Sequence, residues 1–294
     1  MFRGSMVALV TPMLADESVD FSALENLIEI HIAAKTTAIV AMGTTGESAT
    51  LNYQEHCQVL RFVVEKAAGR ISIIAGTGAN STSEAIELTQ CAKEAGVDAC
   101  LLVSPYYNKP TQEGLFLHHK KIAETVDIPQ ILYNVPSRTA SDMLPETVGR
   151  LSKVKNIIGV KEATGDLSRV AEIKALVDDD FDLYTGDDET GIDFILAGGH
   201  GSISVTANIV PEKMAQAYQL ALNGDEVAAK KIDQSIAILH QDLFVESNPI
   251  PVKWCLAEMG LIGLAIRLPL TPLALKCHEK LRNSLNLVGV INAK

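Results

Sequence analysis

The chain has 294 residues, of which 47% are hydrophobic and 21% are charged, and its formal net charge is -11. This length is sufficient for one large α/β barrel or for two ordinary domains. The acidic balance argues against nucleic acid and anionic membrane surfaces as partners, because both require clustered Lys and Arg. The most apolar stretch near the C-terminus, residues 260–270, contains Arg267 and Pro269 and falls well short of the ~20 residues that a membrane-spanning helix needs.

Short runs of β-branched and apolar residues recur along the first two thirds of the chain. A helical pattern follows each run, and this alternation is typical of the βαβ units of a parallel sheet. We predict strands at Met6–Val10, Ala38–Met42, Ile71–Ala75, Ala99–Val103, Gln130–Tyr133, Ile157–Lys161, Asp182–Tyr184 and Gly201–Val205.

Several of the intervening helices have recognisable start and stop residues. Ser81 and Glu84 form a Ser-x-x-Glu pattern that predicts a capping box, and Gly96 marks the end of the same helix. The other helices predicted before residue 224 are Phe21–Lys35, Gln54–Ala67, Gln112–Thr125, Leu167–Val177, Glu189–Ala197 and Glu212–Leu222.

Eight strand–helix units in about 225 residues match a (β/α)₈ barrel. An open doubly wound sheet usually has fewer strands and a glycine-rich turn after the first, whereas Val10 is followed by Thr11 and Pro12. We therefore predict an α/β fold, with a TIM barrel over residues 1–224. Residues 225–294 are predicted to be a helical extension that packs on the barrel or supplies an oligomer surface, with helices Glu226–Leu243, Pro251–Glu258 and Leu273–Leu285.

The active site of such a barrel lies at the carboxyl ends of its strands, and Lys161 stands at the end of the sixth. A lysine at the end of a buried strand is paired, extends its amine to solvent, or acts chemically. Burial lowers the pKa of a lysine, and the neutral amine is a nucleophile toward carbonyl groups. Lys161 is accordingly a candidate for imine formation.

Other strand ends supply candidates with complementary chemistry. The turn Gly43–Glu47 offers backbone N–H groups and the hydroxyls of Thr44 and Thr45 to a carboxylate or phosphate, although ordinary tight turns look similar. Tyr133 could relay protons or only pack, and Arg138 could clamp a carboxylate or lie free on the surface. Gly186, after the seventh strand, is a further predicted substrate contact.

We predict no metal and no other cofactor. The seven histidines show no H-x-x-x-H or H-x-H spacing, and the acidic run 187–189 is interpreted more simply as a helix N-terminus than as a Mg²⁺ site. The five cysteines are scattered, so we expect reduced thiols. The N-terminus lacks the pattern of a signal peptide, which favours a cytoplasmic location.

With these residues the chain resembles the dihydrodipicolinate synthase and N-acetylneuraminate lyase family of class I aldolases. The resemblance spans nearly the whole chain and rests on four ordered motifs: Gly43-Thr44-Thr45-Gly46-Glu47, Pro105-Tyr106-Tyr107-Asn108-Lys109-Pro110, Tyr133-Asn134-Val135-Pro136-Ser137-Arg138-Thr139 and Gly159-Val160-Lys161-Glu162.

The resemblance implies that pyruvate condenses with L-aspartate 4-semialdehyde in lysine and diaminopimelate biosynthesis. It implies a Schiff base at Lys161 and proton transfer by Tyr133, linked through Thr44 to Tyr107 of a neighbouring subunit. It also implies that Thr45 holds the pyruvate carboxylate, that the Ile203 carbonyl lies near the reacting centre, and that Arg138 binds the semialdehyde carboxylate. The implied assembly is a homotetramer, a dimer of dimers.

Many bacterial members of this family are inhibited by lysine at a dimer interface. Tyr53 departs from the histidine that inhibited members commonly have, so we expect lysine binding without strong inhibition. The residues that match the lysine site are Ser48, Ala49, His56, Asn80, Glu84 and Tyr106.

Two other functions remain open at this stage. The first is a lyase for N-acetylneuraminate or a 2-keto-3-deoxy sugar acid, against which Arg138 argues. The second is a catalytically silent regulator that binds an amino acid. This function is disfavoured by the intact set Thr44, Tyr107, Tyr133 and Lys161.

Overall fold

The structure, a computed structural model, describes residues 2–291. Eight parallel strands form a closed barrel in chain order, with the first paired to the last. The predicted (β/α)₈ barrel is therefore confirmed, and the predicted strand ends differ from the observed ones by two residues or fewer. The strands are β1 (Gly4–Ala8), β2 (Ala38–Ala41), β3 (Ser72–Gly76), β4 (Ala99–Val103), β5 (Gln130–Asn134), β6 (Ile157–Glu162), β7 (Asp182–Thr185) and β8 (Gly201–Ser204).

Helices surround the barrel and continue beyond it. Those that follow strands are α1 (Phe21–Ala33), α2 (Tyr53–Ala67), α3 (Thr82–Ala95), α4 (Gln112–Thr125), α5 (Pro136–Thr139), α6 (Pro145–Leu151), α7 (Ser168–Lys174), α8 (Gly191–Leu196) and α9 (Pro211–Leu222). The remainder are α10 (Glu226–Gln234), α11 (Ala237–Asp242), α12 (Ile250–Glu258) and α13 (Leu275–Val288).

The strand pattern divides the core into two layers. Alternate residues of each strand face opposite sides of the sheet, and those facing inward, such as Met6, Tyr184 and Ile203, fill the barrel. Those facing outward, such as Val7, Leu102 and Val160, pack against the helices. Lys161 follows the outward Val160 and therefore points inward.

Two local predictions are wrong, and two short helices were not predicted. Helices α5 and α6 were not predicted, although each begins with a proline at its first turn, where no backbone N–H is needed. The predicted helix 226–243 is divided into α10 and α11, because Ile236 leaves helical geometry at φ -123° and ψ 0° and is fully buried. The Ser81 side chain does not cap α3; its hydroxyl lies 3.0 Å from that of Ser83.

The cysteines differ in part from the expectation. Cys57 of α2 and Cys91 of α3 are joined by a disulfide, so they are not the reduced thiols expected from the scattered positions of the cysteines. The two helices are neighbours, and their Cα atoms lie 6.1 Å apart, within the range that a disulfide bridges. Cys100, Cys255 and Cys277 are free. In the described part of the chain, no helix is long and apolar enough to cross a membrane.

The C-terminal helices reach back to the carboxyl end of the barrel. The segment from Ile250 to Leu256 of α12 is buried, including Lys253. Just before α12, the Asn248 amide donates a 2.9 Å hydrogen bond to the Thr45 hydroxyl. The extension therefore contributes directly to the surroundings of the turn after β2.

Candidate active site

A cavity of about 530 Å³ opens at the carboxyl ends of the strands. Of the eight residues that the sequence assigned to catalysis and substrate contact, all except Tyr107 line this cavity. The seven are Thr44, Thr45, Tyr133, Arg138, Lys161, Gly186 and Ile203. Strands β2, β5, β6, β7 and β8 bring them together, although they are separated by up to 159 residues in the chain, from Thr44 to Ile203.

Lys161, at the end of β6, lines the cavity. It is paired in register with Tyr133 of β5, and its Nζ lies 4.2 Å from the centroid of the Tyr133 ring. Burial lowers the pKa of the Lys161 ammonium to about 7, with a contribution from Arg138, while the carboxylate of Asp188 opposes the shift. Half of the amine is then neutral near pH 7, which is the form that attacks a carbonyl.

The Tyr133 hydroxyl is protonated at neutral pH. Burial raises its pKa to about 12, although the nearby charge of Arg138 favours ionisation. A protonated phenol can donate one hydrogen bond and accept others. Tyr133 is therefore suited to deliver a proton to an oxygen bound beside Lys161.

The turn after β2 is held rigidly. Within it, the Gly46 and Glu47 backbone N–H groups donate to the carbonyls of Gly43 and Thr44, each at 3.1 Å. The Thr11 hydroxyl donates to the Gly46 carbonyl at 2.7 Å. The side chain of Thr45 is buried, whereas Thr44 is exposed at the cavity mouth.

Arg138 presents a free charge to the cavity. Its guanidinium donates only to the backbone carbonyl of Asn248, at 3.4 Å, and no carboxylate within residues 2–291 forms an ion pair with it. An exposed guanidinium with unused N–H donors is a strong site for a carboxylate ligand. Arg138 is exposed and lines the cavity, so its guanidinium is accessible to a ligand there.

Gly186 leaves room for the Lys161 side chain. A Cβ atom at position 186 would lie 2.5 Å from Lys161 Cε and 2.7 Å from Ala163 Cβ, both far inside van der Waals contact. Only glycine fits there without displacing the lysine.

We predict that Gly186→Ala lowers the rate of covalent adduct formation at Lys161 by roughly 100-fold, since misplacing a reacting group by about 1 Å has an effect of this size. The measurement is borohydride trapping with pyruvate, followed by mass spectrometry. Gly114→Ala in the first turn of α4 is the matched control and is expected to react like the parent chain. An unchanged adduct rate in Gly186→Ala would show that the lysine has space to move.

Two residues near the site were misjudged or missed from the sequence. Asp188 was interpreted only as part of an acid-rich helix N-terminus. The structure shows that it is buried and that its Oδ2 accepts from the N–H groups of Val205 and Thr206, at 3.0 and 2.8 Å. His240 lies 2.9 Å from the Thr206 hydroxyl and 3.1 Å from Asp233. No local pattern marks either residue, because both act through contacts distant in sequence.

Glu162, next to Lys161, faces the opposite side of the sheet. Burial raises the pKa of its carboxyl, and the hydrogen bonds from Asn134 and Thr164 act against this shift. The Asn134 amide lies 3.1 Å from Oε2, and the Thr164 N–H lies 3.0 Å from Oε1. Glu162 therefore supports the end of β6 from outside the barrel and does not line the cavity.

Tyr107 is not brought into the cavity of its own chain. Its side chain is 89% exposed, and its backbone has a left-handed φ of 73°. A left-handed backbone is unusual for a bulky aromatic residue. The geometry of one chain therefore leaves Tyr107 available to a neighbouring molecule.

A second cavity of about 600 Å³ lies beside the first. Of the residues matching the lysine site, it is lined by Ser48, Ala49, His56, Glu84 and Tyr106. Asn80, the sixth residue of that set, is not among the lining residues; its backbone carbonyl accepts from the Asn108 side chain at 2.9 Å. Tyr53 does not line it and is 47% exposed.

The two cavities adjoin and share lining residues. Thr44, Arg138 and Asn248 border both. In the part of the chain that the structure describes, no cluster of His, Cys, Asp and Glu is arranged to hold a metal ion.

Comparison with known proteins identifies the family. The model of the dihydrodipicolinate synthetase family matches residues 1–287. The chain belongs to this family. The 4-hydroxy-tetrahydrodipicolinate synthase of Thioalkalivibrio sulfidiphilus is 60% identical over 99% of both chains. The resemblance inferred from the four motifs is therefore confirmed.

Solved structures of family members agree with the fold. A crystal structure of chloride-inhibited dihydrodipicolinate synthase from Acinetobacter baumannii, complexed with pyruvate, is 56% identical with a TM-score of 0.97 and covers 99% of this chain and 100% of its own. The enzyme of Cyanidioschyzon merolae with lysine bound is 37% identical with a TM-score of 0.95, covering 99% of each chain.

Proposed function

We propose that the chain condenses pyruvate with L-aspartate 4-semialdehyde to give 4-hydroxy-tetrahydrodipicolinate and water, in lysine and diaminopimelate biosynthesis. The observation that carries this proposal is the buried amine of Lys161, in a cavity that also presents Tyr133, Thr45 and Arg138. The names of the relatives and the pyruvate in the Acinetobacter baumannii structure support the same reaction.

The first half of the reaction takes place at Lys161. The neutral amine attacks the ketone carbon of pyruvate, and loss of water leaves an imine between Nζ and that carbon. Removal of a methyl proton gives an enamine. Tyr133, protonated and adjacent to Nζ, is the group placed to move protons in these steps.

The second half forms the carbon–carbon bond. The enamine carbon attacks the aldehyde carbon of the semialdehyde, and the aldehyde oxygen takes up a proton. The amino group of the semialdehyde then attacks the imine carbon, which closes the ring and releases the lysine amine. One water leaves in total, at the imine step, so the atoms balance.

Two carboxylate sites orient the substrates. We assign the pyruvate carboxylate to the Thr44–Thr45 segment and the semialdehyde carboxylate to Arg138, with Gly186 and the Ile203 carbonyl near the reacting carbons. The free guanidinium supports the second assignment. A sugar-acid lyase would use Lys161 and Tyr133 but needs no cation for a second carboxylate, and a silent regulator needs no deprotonated amine.

We further propose a homotetramer, in the cytoplasm, in which Tyr107 completes the site of a neighbouring subunit and joins Thr44 and Tyr133 in proton transfer. The 89% exposure of Tyr107 supports this assembly. In this proposal, residues 1–224 form the catalytic barrel and residues 225–294 form its helical extension. Metals and other cofactors have no role in it.

The second cavity is proposed as a lysine site. The carboxylate of Glu84, which lines this cavity, would pair with a ligand amine. The structure of the Cyanidioschyzon merolae enzyme with lysine bound supports lysine as the ligand. Tyr53 stands where inhibited family members commonly have a histidine, so we propose lysine binding with weak inhibition.

The proposal is tested by trapping and turnover. Borohydride with pyruvate is expected to yield a covalent adduct on Lys161, and addition of L-aspartate 4-semialdehyde is expected to give product in a coupled reductase assay. N-acetylneuraminate and a 2-keto-3-deoxy sugar acid serve as competing substrates. Equal rates with a sugar acid would replace the proposal with the lyase, and the absence of any adduct would replace it with the regulator.

We predict that Arg138→Ala lowers kcat/KM for the semialdehyde by roughly 100-fold, because a charge-assisted, bidentate contact is lost. The rate of the pyruvate adduct is expected to change by less than about threefold, since only the second substrate binds the guanidinium and burial is the larger cause of the lowered Lys161 pKa. Steady-state kinetics and trapping measure the two effects separately. The exposed Arg150→Ala is the control, and equal losses in both steps for Arg138→Ala would contradict its assignment.

A further inference from the structure

Asn248 reaches the active site from the C-terminal extension. Its side chain is buried, lines both cavities, and lies 203 residues away in sequence from its partner Thr45. The amide Nδ2 lies 2.9 Å from the Thr45 hydroxyl oxygen. No sequence pattern indicated Asn248, and it has no role in the proposed reaction steps.

The direction of this hydrogen bond determines what the Thr45 hydroxyl can do. A hydroxyl has one hydrogen to donate and two lone pairs that accept. With Asn248 donating, one lone pair of Thr45 is occupied and its hydrogen remains available. Within residues 2–291 the structure gives that hydrogen no protein acceptor, and the Thr45 side chain lines the cavity.

The same residue also holds the second carboxylate site. The backbone carbonyl of Asn248 accepts from the Arg138 guanidinium at 3.4 Å. The side chain and the backbone of one residue thus contact the groups assigned to the two substrate carboxylates. Substitution of the side chain leaves the carbonyl in place, so the two contacts can be separated by experiment.

A buried ion pair fixes the extension against the turn that carries Thr45. Glu47, two residues after Thr45, pairs with Lys253 of α12, five residues after Asn248, and both side chains are almost fully buried. The second oxygen of Glu47 accepts from the Arg267 backbone N–H at 3.1 Å. The distance between Asn248 and Thr45 is therefore set by rigid, neighbouring elements.

We infer that Asn248 is a positioning residue for pyruvate: its amide donates to the Thr45 hydroxyl and so directs the hydrogen of that hydroxyl at the pyruvate carboxylate. This inference rests on the proposed function, in which Thr45 holds that carboxylate. The extension beyond the barrel would then be part of substrate recognition and more than a covering for the barrel.

Asn248→Asp tests the inference with almost no change in shape. A carboxylate only accepts, so the substituted side chain would draw the Thr45 hydrogen away from the cavity. KM for pyruvate is expected to rise by roughly 10- to 100-fold, the range for loss of a hydrogen bond to a charged group. KM for the semialdehyde is expected to stay within about twofold, because the backbone carbonyl at this position still contacts Arg138.

A double-mutant cycle shows whether the effect passes through Thr45. In a Thr45→Val background there is no hydroxyl to orient, so adding Asn248→Asp is expected to change KM for pyruvate by less than about twofold. A large additional rise in that background would overturn the inference, since the new charge would then act on pyruvate directly. A wild-type KM in Asn248→Asp alone would overturn it as well, because the amide would then be accepting from Thr45.

Two control variants show whether a change in KM comes from altered folding. A binding measurement tests the proposed imine chemistry separately. Asn223→Asp places the same change at an exposed position and is expected to leave both KM values unchanged, and Asn248→Ala is expected to raise KM for pyruvate while retaining a cooperative melting transition. Calorimetric titration with pyruvate is run in parallel with trapping. Binding without an adduct in the wild type would remove the proposed imine chemistry while the Asn248 comparison still proceeds, and no binding at all would overturn both.

Discussion

Lys161→Met is expected to abolish the pyruvate adduct and to lower kcat/KM by roughly 10⁴-fold or more, the scale of losing a covalent nucleophile. Methionine has a similar volume and no amine, so the cavity keeps its shape. Trapping, mass spectrometry and the coupled assay measure the loss. The exposed Lys155→Met is the matched control and is expected to retain wild-type activity. An adduct that persists in Lys161→Met would place the imine elsewhere.

The pH dependence of adduct formation follows from the same amine. Only the neutral form reacts, and burial lowers the Lys161 pKa from 10.5 to about 7. The initial trapping rate is therefore expected to rise as the pH increases through 7 and to level off above about pH 8, where nearly all of the amine is neutral. Quenched-flow measurements between about pH 5.5 and 10 give the profile. A rate that keeps rising to the alkaline end of this range would show an amine with an ordinary pKa.

The barrel could be predicted from the sequence because its signal is local and repeated. Each strand is a short apolar run, and a helical pattern lies between successive strands. This alternation is compatible with few topologies other than a parallel sheet of βαβ units. The same regularity placed Lys161 beside Tyr133, since consecutive strands of a parallel barrel are neighbours. The helices that were not predicted, α5 and α6, are short and have too few turns to show a clear apolar period.

The site could be predicted only where its residues stand at strand ends. Thr44, Arg138 and Gly186 are examples, and each lines the cavity. Asn248 was not predicted, since its role depends on how the extension folds over the barrel. The buried contacts of Asp188 were not predicted for a related reason. Asp188 follows β7, whereas its partners Val205 and Thr206 follow β8.

The Glu47–Lys253 pair is the feature whose loss is expected to affect stability most. Its side chains are 0% and 3% exposed, and the two residues are 206 positions apart in the chain. Burial lowers the pKa of the Lys253 ammonium, while the carboxylate of Glu47 opposes the shift. Removing one partner leaves the other charge buried without compensation, which costs more than the intact pair contributes.

Lys253→Met is therefore expected to lower the free energy of unfolding by about 3–5 kcal/mol. Urea denaturation at fixed protein concentration measures the change, because assembly also affects apparent stability. The double variant Glu47→Gln with Lys253→Met removes both charges and is expected to regain most of the loss, since no isolated buried charge remains. Lys153→Met, which breaks the exposed pair with Asp178, is the control and is expected to cost less than about 1 kcal/mol. If Lys253→Met costs no more than Lys153→Met, the ion pair does not hold the extension on the 43–47 turn.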